Sequence, residues 1–599
     1  MCRHDGASRL GRALAAAMAI AAPFSGPGRA RAGEAPRLAL APCRVAGLQR
    51  EVRCGTLEVF EDRAAARGRR IPLHVVVLPA TGPAVAPDPL VYFSGGPGEA
   101  ATREAAYVAQ GWAAINACRD IVLVDARGTG QSNGLQCAAT SAHRGLQGAL
   151  DEFYPRATVR ECRRELESRA DLRLYTTSLA VDDVDEVRAA LGIERWNVCG
   201  ASYGTRVVQV YLRRHGEHVR TAMMWDVLPT GARMPLTFAR DAQGALDALL
   251  ARCARDAVCR AAFPDAAADL WRVLDRLGQQ PAAVEARDPS TGAPVRFRLT
   301  RNGLAQTVRF MLYAPVTAAL VPLQAHLAAH GDLAPLARSA AVYSDQLSDT
   351  IADGDYLSVT CSEDVPFFTA REAAAAAEGS FLGEFRARAQ AGACAEWVRG
   401  EVPASFGERV RSDVPSLLIS GELDPVTPPG NAAWVAAGLT HALSVVVPGG
   451  GHSLDGLDGA ECVDAIFAAF VAAGRAEGLD TGCVRRMRPA PFALRDARPR
   501  ETPIGRTVLA RFAGVYRSGD GAAVEVRLVG GTLRMVDDYG FAEALTPAGP
   551  RRFIREGHPP GFLAAFDVAG DAIAAVTLTR PAGGRRRFAR EVAVPGASR

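Results

Sequence analysis

Residues 196–204, Trp-Asn-Val-Cys-Gly-Ala-Ser-Tyr-Gly, decide the fold class of this chain. The apolar run from Trp196 to Cys199 predicts a short strand, and the amphipathic stretch from Tyr203 to Arg214 predicts a helix directly after it. Small residues flank Ser202, so a tight, strained turn can form between the two without side-chain clashes. The serine side chain would then project from the carboxyl end of the strand, and we predict that Ser202 is a nucleophile.

Short β-branched runs alternate with helical stretches on both sides of this turn. The predicted strands are Val75 to Leu78, Leu90 to Phe93, Ile121 to Val124, Trp196 to Cys199, Thr221 to Trp225, Ser416 to Ser420 and Ser444 to Val447. Repeated strand, helix, strand predicts an α/β fold with a mostly parallel sheet and helices on both faces.

An Ala-rich segment of helical period, about Leu236 to Arg399, interrupts this alternation. Insertions into such sheets lie over the carboxyl ends of the strands, where ligands bind, so we interpret the segment as a helical cap. The expected division is a core at residues 33–235 and 401–495, with the cap at residues 236–400 between its two parts.

The composition changes again after a Pro-rich stretch, Arg488 to Pro503. Five short strands with turn signals between them predict a separate antiparallel β-domain, a sandwich or barrel, at residues 505–596. These strands are Ala522 to Leu528, Thr532 to Val536, Ala564 to Val568, Ala572 to Thr579 and Arg587 to Val592.

The first 32 residues have the pattern of a cleaved secretory signal. Three arginines precede the apolar run from Ala13 to Ala22, and Ala30-Arg31-Ala32 supplies a small-x-small cleavage site. We therefore expect a secreted or periplasmic protein with no integral membrane segment, since no later run of 18 apolar residues occurs.

The cysteines fit an oxidising compartment, because most fall into close pairs. We predict the pairs Cys43 with Cys54, Cys137 with Cys162, Cys253 with Cys259, Cys361 with Cys394 and Cys462 with Cys483. Cys118 and Cys199 are then expected to be buried free thiols. The sequence has no C-x-x-C, and we predict neither a metal nor a cofactor.

Composition and charge exclude several classes of protein. In 599 residues, 48% are hydrophobic and 22% charged, so the chain is globular rather than disordered, collagen-like or a coiled coil. The net charge of +4 comes without a basic stripe, so nucleic acid is not an expected partner. The oligomeric state is not predicted.

A serine needs an imidazole to accept its proton and a carboxylate to orient that imidazole. Asp424 and His452 each follow a predicted strand, in the order serine, acid, histidine that accompanies such a turn. We predict that His452 is the base and Asp424 its orienting acid. Asp226 also follows a strand and remains the rival acid.

The oxyanion that forms during acyl transfer needs two backbone N–H donors. The Tyr203 amide begins the helix after the nucleophile and is one predicted donor. The loop Ser94-Gly95-Gly96-Pro97-Gly98 follows an early strand, and glycine allows close backbone approach. Gly96 is the second predicted donor.

Four motifs in order resemble the prolyl iminopeptidases and secreted tripeptidyl aminopeptidases, which are α/β-hydrolases. They are Gly95 to Gly98, Asp125 to Ser132 (DARGTGQS), the turn around Ser202, and Gly421 to Pro428 (GELDPVTP). Prolyl iminopeptidases have His where this chain has Ser94, which favours the tripeptidyl branch. The C-terminal pattern resembles the small β-domain that some secreted serine hydrolases carry.

The resemblance implies that the enzyme releases residues from the free N-termini of peptides through an acyl-enzyme. Members of the family bind the substrate ammonium with cap carboxylates, and Glu363 and Asp364 are the candidates here. Two alternatives remain: a secreted carboxylesterase that uses the same three residues, and a catalytically silent module that acts through its β-domain.

Overall fold

The computed structural model describes residues 38–591 except 47, 49, 144, 290, 349–350, 498–503, 520–522, 538–541, 571 and 581–583. The predicted signal peptide lies outside the described residues.

The first part of the chain forms seven strands and seven α-helices among the described residues. The strands are β1 (Ala41–Cys43), β2 (Val52–Phe60), β3 (Arg70–Leu78), β4 (Leu90–Phe93), β5 (Ile121–Val124), β6 (Trp196–Ala201) and β7 (Val219–Trp225). The helices are α1 (Ala105–Gly111), α2 (Ala113–Asn116), α3 (Ala138–His143), α4 (Leu146–Asp151), α5 (Arg156–Glu167), α6 (Thr177–Ala190) and α7 (Tyr203–His215).

A mainly helical segment follows β7, as expected for the cap. Its helices are α8 (Phe238–Arg255), α9 (Ala257–Ala262), α10 (Ala266–Gln279), α11 (Arg301–Met311), α12 (Pro315–Ala318), α13 (Val321–Ala329), α14 (Ala334–Ser348), α15 (Asp353–Glu363), α16 (Ala370–Ala377) and α17 (Phe385–Cys394). It also contains an antiparallel hairpin, β8 (Ala282–Arg287) with β9 (Pro294–Leu299).

The sheet is completed by strands from the later part of the chain. These elements are β10 (Ser416–Gly421), α18 (Pro429–Ala436), β11 (Ala442–Val447) and α19 (Glu461–Ala473). The nine strands are ordered β1-β2-β3-β5-β4-β6-β7-β10-β11, and the pairs from β5 to β11 are all parallel. The fold is the α/β-hydrolase fold, with antiparallel strands only at its β1 to β3 edge.

Central strands are buried on both faces, as parallel strands covered by helices must be. Leu90 and Tyr92 of β4 pack into the core on one face of the sheet. Val91 and Phe93 of the same strand pack into the core on the other face. Every position is apolar because every position is buried, so this short run could be predicted as a strand.

The C-terminal strands close into an antiparallel barrel, preceded by α20 (Arg506–Ala510). The strands are β12 (Gly514–Arg517), β13 (Ala523–Val529), β14 (Thr532–Asp537), β15 (Ala542–Pro547), β16 (Arg552–Arg555), β17 (Leu563–Ala569), β18 (Ala572–Thr579) and β19 (Arg585–Arg590). The separate β-domain is therefore confirmed, although β12, β15 and β16 were not among its predicted strands. Two of these have only four residues, too few for alternation to stand out.

Five disulfides are seen with both cysteines among the described residues, and they are the five predicted pairs. Such pairing is typical of proteins that fold in an oxidising compartment. Cys199 is a buried free thiol, as predicted. The expectation for Cys118 is wrong, since this residue is disulfide-bonded. It lies half-buried after α2 rather than inside a strand, so its sulfur is open to a partner. Among the described residues, every helix is too short or too polar to cross a bilayer.

Candidate active site

Ser202 lies in a sharp turn between β6 and α7, with the positive backbone angle φ of 53°. The turn is possible because Gly200 and Gly204 lack side chains. A Cβ atom on Gly200 would lie 2.3 Å from the carbonyl oxygen of Gly204, and one on Gly204 would lie 2.2 Å from that of Phe93. The strained backbone presents the Ser202 hydroxyl at the carboxyl edge of the sheet.

The structure brings Ser202 together with His452 and Asp424. His452 Nε2 lies 3.1 Å from Ser202 Oγ, and His452 Nδ1 lies 2.8 Å from Asp424 Oδ2. Asp424 follows β10 and His452 follows β11, so both side chains reach the same edge as the serine. This is the geometry in which an imidazole can take the serine proton while a carboxylate holds its tautomer.

Asp424 is held as a carboxylate by its own loop. The amides of Val426 and Thr427 donate to its Oδ1 at 2.7 and 2.9 Å, and Thr427 Oγ1 donates to its Oδ2 at 2.6 Å. Burial alone would raise the pKa of Asp424, but His452 and these hydrogen bonds outweigh it and lower the pKa below its ordinary value. Thr427 was not singled out from the sequence, although it lies within the GELDPVTP motif.

The rival acid, Asp226, is buried beside this group but makes no hydrogen bond to His452 in the described structure. Burial and the neighbouring Asp424 raise its pKa well above the ordinary value. A carboxyl group whose pKa is raised in this way holds its proton more tightly than Asp424 does, and its neutral form cannot stabilise an imidazolium by charge. The arrangement therefore favours Asp424 over Asp226 as the orienting acid.

The glycine loop after β4 lies against the serine, as predicted. A Cβ atom on Gly95 would lie 3.6 Å from Ser202 Cβ, and Gly96 lines the cavity above the serine. Gly96 has φ of 102°, a conformation that other residues rarely adopt. Tyr203 begins α7, where backbone N–H groups lack helical partners. Both predicted oxyanion donors thus belong to segments adjacent to Ser202.

Glu363 and Asp364, which were predicted to bind a substrate amine, lie outside the cavity that contains Ser202. Both side chains are 0% exposed, and neither lines the cavity that contains Ser202. Asp364 accepts two hydrogen bonds from Arg206 at 2.9 and 3.2 Å, and Glu363 accepts two from Thr177 at 2.7 Å each. A fully buried carboxylate that is already paired has no side open to a ligand, so this placement conflicts with the prediction.

These two acids instead connect the cap to the core. Arg206 belongs to α7, directly after the nucleophile, whereas Glu363 and Asp364 lie at the end of α15 in the cap. The Thr177 hydroxyl that bonds Glu363 is also 2.6 Å from the Tyr203 hydroxyl. The buried network thus fixes the cap against the helix that begins at the nucleophile.

Other carboxylates do line the cavity, which has a volume of about 860 Å³, and Glu99 and Glu104 are the two beside the glycine loop. A Cβ atom on Gly95 would lie 2.9 Å from Glu99 Oε2 and 3.6 Å from Ser202 Cβ, so the acid and the serine both lie beside this glycine. Glu104 accepts a hydrogen bond from Tyr92 at 2.9 Å and another from Ser94. Neither acid forms an ion pair within the described part of the chain. Glu99 directly follows the glycine motif, which is the signal that could have identified it.

Glu104 lies close enough to Glu99 for its charge to affect the pKa of Glu99. Burial, and then the charge of Glu104, raise the pKa of Glu99 from 4.5 to about 7. Burial also raises the pKa of Glu104. A cationic ligand would favour the ionised form of both carboxyl groups, so such a pair suits a cation.

The fold and these contacts define the protein as a serine hydrolase of the α/β-hydrolase class. Residues 88–258 match the family model described as alpha/beta hydrolase fold, and residues 379–483 match the one described as TAP-like protein. The two matches lie on the two parts of the core, and each extends into the cap.

Comparison with known proteins shows two peptidases among its relatives. The chain is 26% identical over 490 residues to the serine protease Hip1 of Mycobacterium tuberculosis, covering 75% of this chain and 91% of that protein. It is 31% identical over 194 residues to the tripeptidyl aminopeptidase of Streptomyces lividans, covering 30% and 36% of the two chains. The crystal structure of proline iminopeptidase from Mycobacterium smegmatis is 17% identical with a TM-score of 0.36, covering 70% of this chain and 98% of that chain.

Proposed function

We propose that this chain is an exported serine exopeptidase that acts on peptides with a free N-terminus through an acyl-enzyme. The observation that carries the proposal is the position of Glu99 beside Ser202, within reach of a substrate bound to the serine. The peptidase relatives support the reaction class, and the acids support recognition of an amine.

In the proposed reaction His452 accepts the Ser202 proton as Oγ attacks the scissile carbonyl carbon. The resulting oxyanion receives hydrogen bonds from the Gly96 and Tyr203 amides. His452 then donates the proton to the leaving nitrogen, the C–N bond breaks, and the acyl group remains as an ester on Ser202. Water, deprotonated by His452, hydrolyses that ester and restores the serine. Asp424 keeps Nδ1 protonated throughout and stabilises the imidazolium.

The α-ammonium of the substrate would pair with Glu99 and Glu104. A protonated amine that enters a partly dry cavity loses hydration, and a carboxylate must compensate for that loss. In a single acyl residue, the amine lies two bonds from the carbonyl carbon, whereas three residues would move it about 7 Å further away. The closeness of Glu99 to Ser202 therefore favours release of one residue at a time. Mass spectrometry of the first products from a hexapeptide distinguishes this from release of three.

Parallel assays on a free-amine peptide, its N-acetylated form and a p-nitrophenyl ester test the proposal. We expect the acetylated peptide to be a poor substrate, and Glu99→Gln to lower kcat/KM for the free peptide far more than for the ester. Glu556→Gln is the matched control, because Glu556 is a buried glutamate of the barrel whose pKa is also raised by burial. Equal cleavage of the free and acetylated peptides would instead favour a carboxylesterase.

Export through a cleaved signal peptide is the second element of the proposal. The five disulfides support folding outside the cytosol. N-terminal sequencing of the protein from culture medium or periplasm is expected to begin at Gly33. An intact Met1 in the fractionated protein would contradict cleavage.

A further inference from the structure

We infer that Arg309 and Arg386 of the cap form an anion-binding site that takes the terminal carboxylate of a short peptide substrate. This inference rests on the proposed peptidase function and adds the substrate class to it. The site lies in the same cavity as Ser202 but faces it from the cap side.

Arg309 is the main observation. Its side chain is buried, with 2% of the residue exposed, and it lines the cavity. Among the described residues, neither its Nε nor its Nη2 has a hydrogen-bond partner, and the guanidinium forms no ion pair. An arginine remains charged at all relevant pH values, so a buried one without a counter-charge is costly unless a ligand supplies that charge.

Further donors without partners face the same cavity. Arg386 Nε and the Tyr343 hydroxyl are buried and have no hydrogen-bond partner among the described residues. With the two nitrogens of Arg309 they provide four donors from three helices of the cap. A carboxylate has two oxygens that accept such donors, and guanidinium groups match its planar geometry.

Aromatic rings hold Arg309 in place without neutralising it. Its guanidinium carbon lies 4.2 Å from the ring centre of Phe238 and 5.4 Å from that of Tyr313. Arg386 lies over Phe153 at 5.4 Å. Cation–π contacts fix the orientation of a guanidinium while its edge remains available for hydrogen bonds.

The position of the site relative to His452 indicates which end of the substrate it binds. The ring of Tyr313 packs edge-on against the ring of His452, with centres 5.0 Å apart. Arg309 is therefore one aromatic ring away from the histidine that would donate a proton to the leaving nitrogen. The leaving part of the substrate lies on that side, while the acids that suit its amine lie on the glycine loop.

The cavity thus presents carboxylates beside the glycine loop and arginines on the cap, and Asp226, Asp455, Asp464 and Arg580 also line it. Carboxylates on the glycine loop suit an ammonium, and arginines on the cap suit a carboxylate. In a peptide of two to four residues, the terminal ammonium and the terminal carboxylate are separated by about 3.5 Å per residue. A long polypeptide brings no terminal carboxylate near Ser202 when it is cut at its N-terminus, so this site selects short peptides.

The first test compares trialanine with trialanine amide on the wild-type enzyme. Loss of one charge-assisted contact is expected to lower kcat/KM for the amide by about 10- to 100-fold. Equal rates on the two peptides would overturn the inference. If equal rates came with a strong preference for an acidic side chain next to the cleaved bond, the arginines would bind that side chain instead of the terminal carboxylate.

Variants show whether the arginines cause the preference. Arg309→Gln and Arg386→Gln are each expected to bring the acid-to-amide ratio towards one. Arg252→Gln is the matched control, since Arg252 also lies over an aromatic ring, Phe492, and has unpartnered nitrogens, but lies outside the cavity. If Arg309→Gln does not fold, the test rests on Arg386→Gln, since Arg386 is half-buried and lies on a different helix. An unchanged acid-to-amide ratio in Arg386→Gln would then contradict the inference.

Binding to Ser202→Ala separates this inference from the proposed function. Calorimetry is expected to show that trialanine binds at least tenfold more tightly than its amide to this variant. If the wild type cleaves no peptide but the binding preference is present, the peptidase proposal fails and the anion site stands. If peptides are cleaved and no preference is found in either experiment, the anion site is refuted and the peptidase proposal stands.

Discussion

The Nε2 atom of His452 lies 3.1 Å from the Oγ atom of Ser202, although 250 positions separate them in the chain. Both residues follow parallel strands of one sheet, so their loops meet at the same edge. Chemistry that needs three side chains in contact is thereby assembled from three distant turns. The first prediction concerns these side chains.

Ser202→Ala is expected to abolish turnover of peptides and esters without unfolding the protein. The hydroxyl contributes chemistry and little packing, and the oxyanion donors would leave only about 10³- to 10⁴-fold catalysis over water. Steady-state assays and thermal melting check both statements. A folded Ala variant with near wild-type activity would exclude Ser202 as the nucleophile.

The two candidate acids are expected to behave differently. Asp424→Asn should lower kcat by roughly 10⁴-fold, because His452 would lose the carboxylate that holds its tautomer. Asp226→Asn should change kcat little, since Asp226 makes no hydrogen bond to His452 in the described structure. The reverse pattern of rates would assign the role to Asp226.

Recognition of the amine should depend on pH through Glu99. Its pKa of about 7 means that the carboxylate is lost as pH falls below 7, and a neutral acid cannot pair with an ammonium. The ratio of kcat/KM for a free-amine peptide to that for an ester should therefore fall about tenfold per pH unit below 7. Taking the ratio removes the titration of His452, which both substrates share. In Glu99→Gln the ratio should be lower and should vary less with pH than in the wild type, since only Glu104 would remain to pair with the amine.

The raised pKa of Glu99 also makes the stability of the folded protein depend on pH. The pKa of Glu99 is raised on folding, so its contribution to stability is present below pH 4.5 and is lost as pH rises through 7. Glu99→Gln should accordingly raise the melting temperature more at pH 8 than at pH 5. A larger gain at pH 5 would contradict the burial of this carboxyl group.

Asp364→Asn is expected to destabilise the protein rather than to weaken substrate binding. Removing one partner of a buried ion pair costs about 3 to 5 kcal/mol, and Arg206 would keep only its longer contact with Glu363, at 3.9 Å. Glu285→Gln, which breaks an exposed pair with Arg296, should change the unfolding midpoint little. A folded Asp364→Asn protein with normal stability and a raised KM for free-amine peptides would restore the amine-binding role.

The disulfide between Cys361 and Cys394 should stabilise the cap. It closes a loop of 33 residues, and its removal by paired Ala substitutions is expected to cost about 2 to 4 kcal/mol. Cys253 and Cys259 close a loop of only 6 residues, so the same change there should cost less. Thermal melting of the two double variants makes the comparison, and equal losses would argue against an effect of loop length.

The sequence alone predicted seven of the nine strands of the sheet, the turn at Ser202 and the five cysteine pairs seen among the described residues. These features depend on local patterns: a buried parallel strand is continuously apolar, a strained turn needs small residues, and close cysteines bond to one another. The order of Asp424 and His452 along the chain also sufficed to select them, because each directly follows a strand.

Only the tertiary structure decided which charged side chains line the cavity around Ser202. Glu363 and Asp364 have the composition expected of an amine site, but the packing of α15 against α7 pairs Asp364 with Arg206 and buries both acids. Arg309 has no sequence signal, yet the cap buries it without a counter-charge at the cavity wall. The direction of a side chain and its ion-pair partner depend on helices that are distant in sequence, so a local sequence pattern cannot predict them.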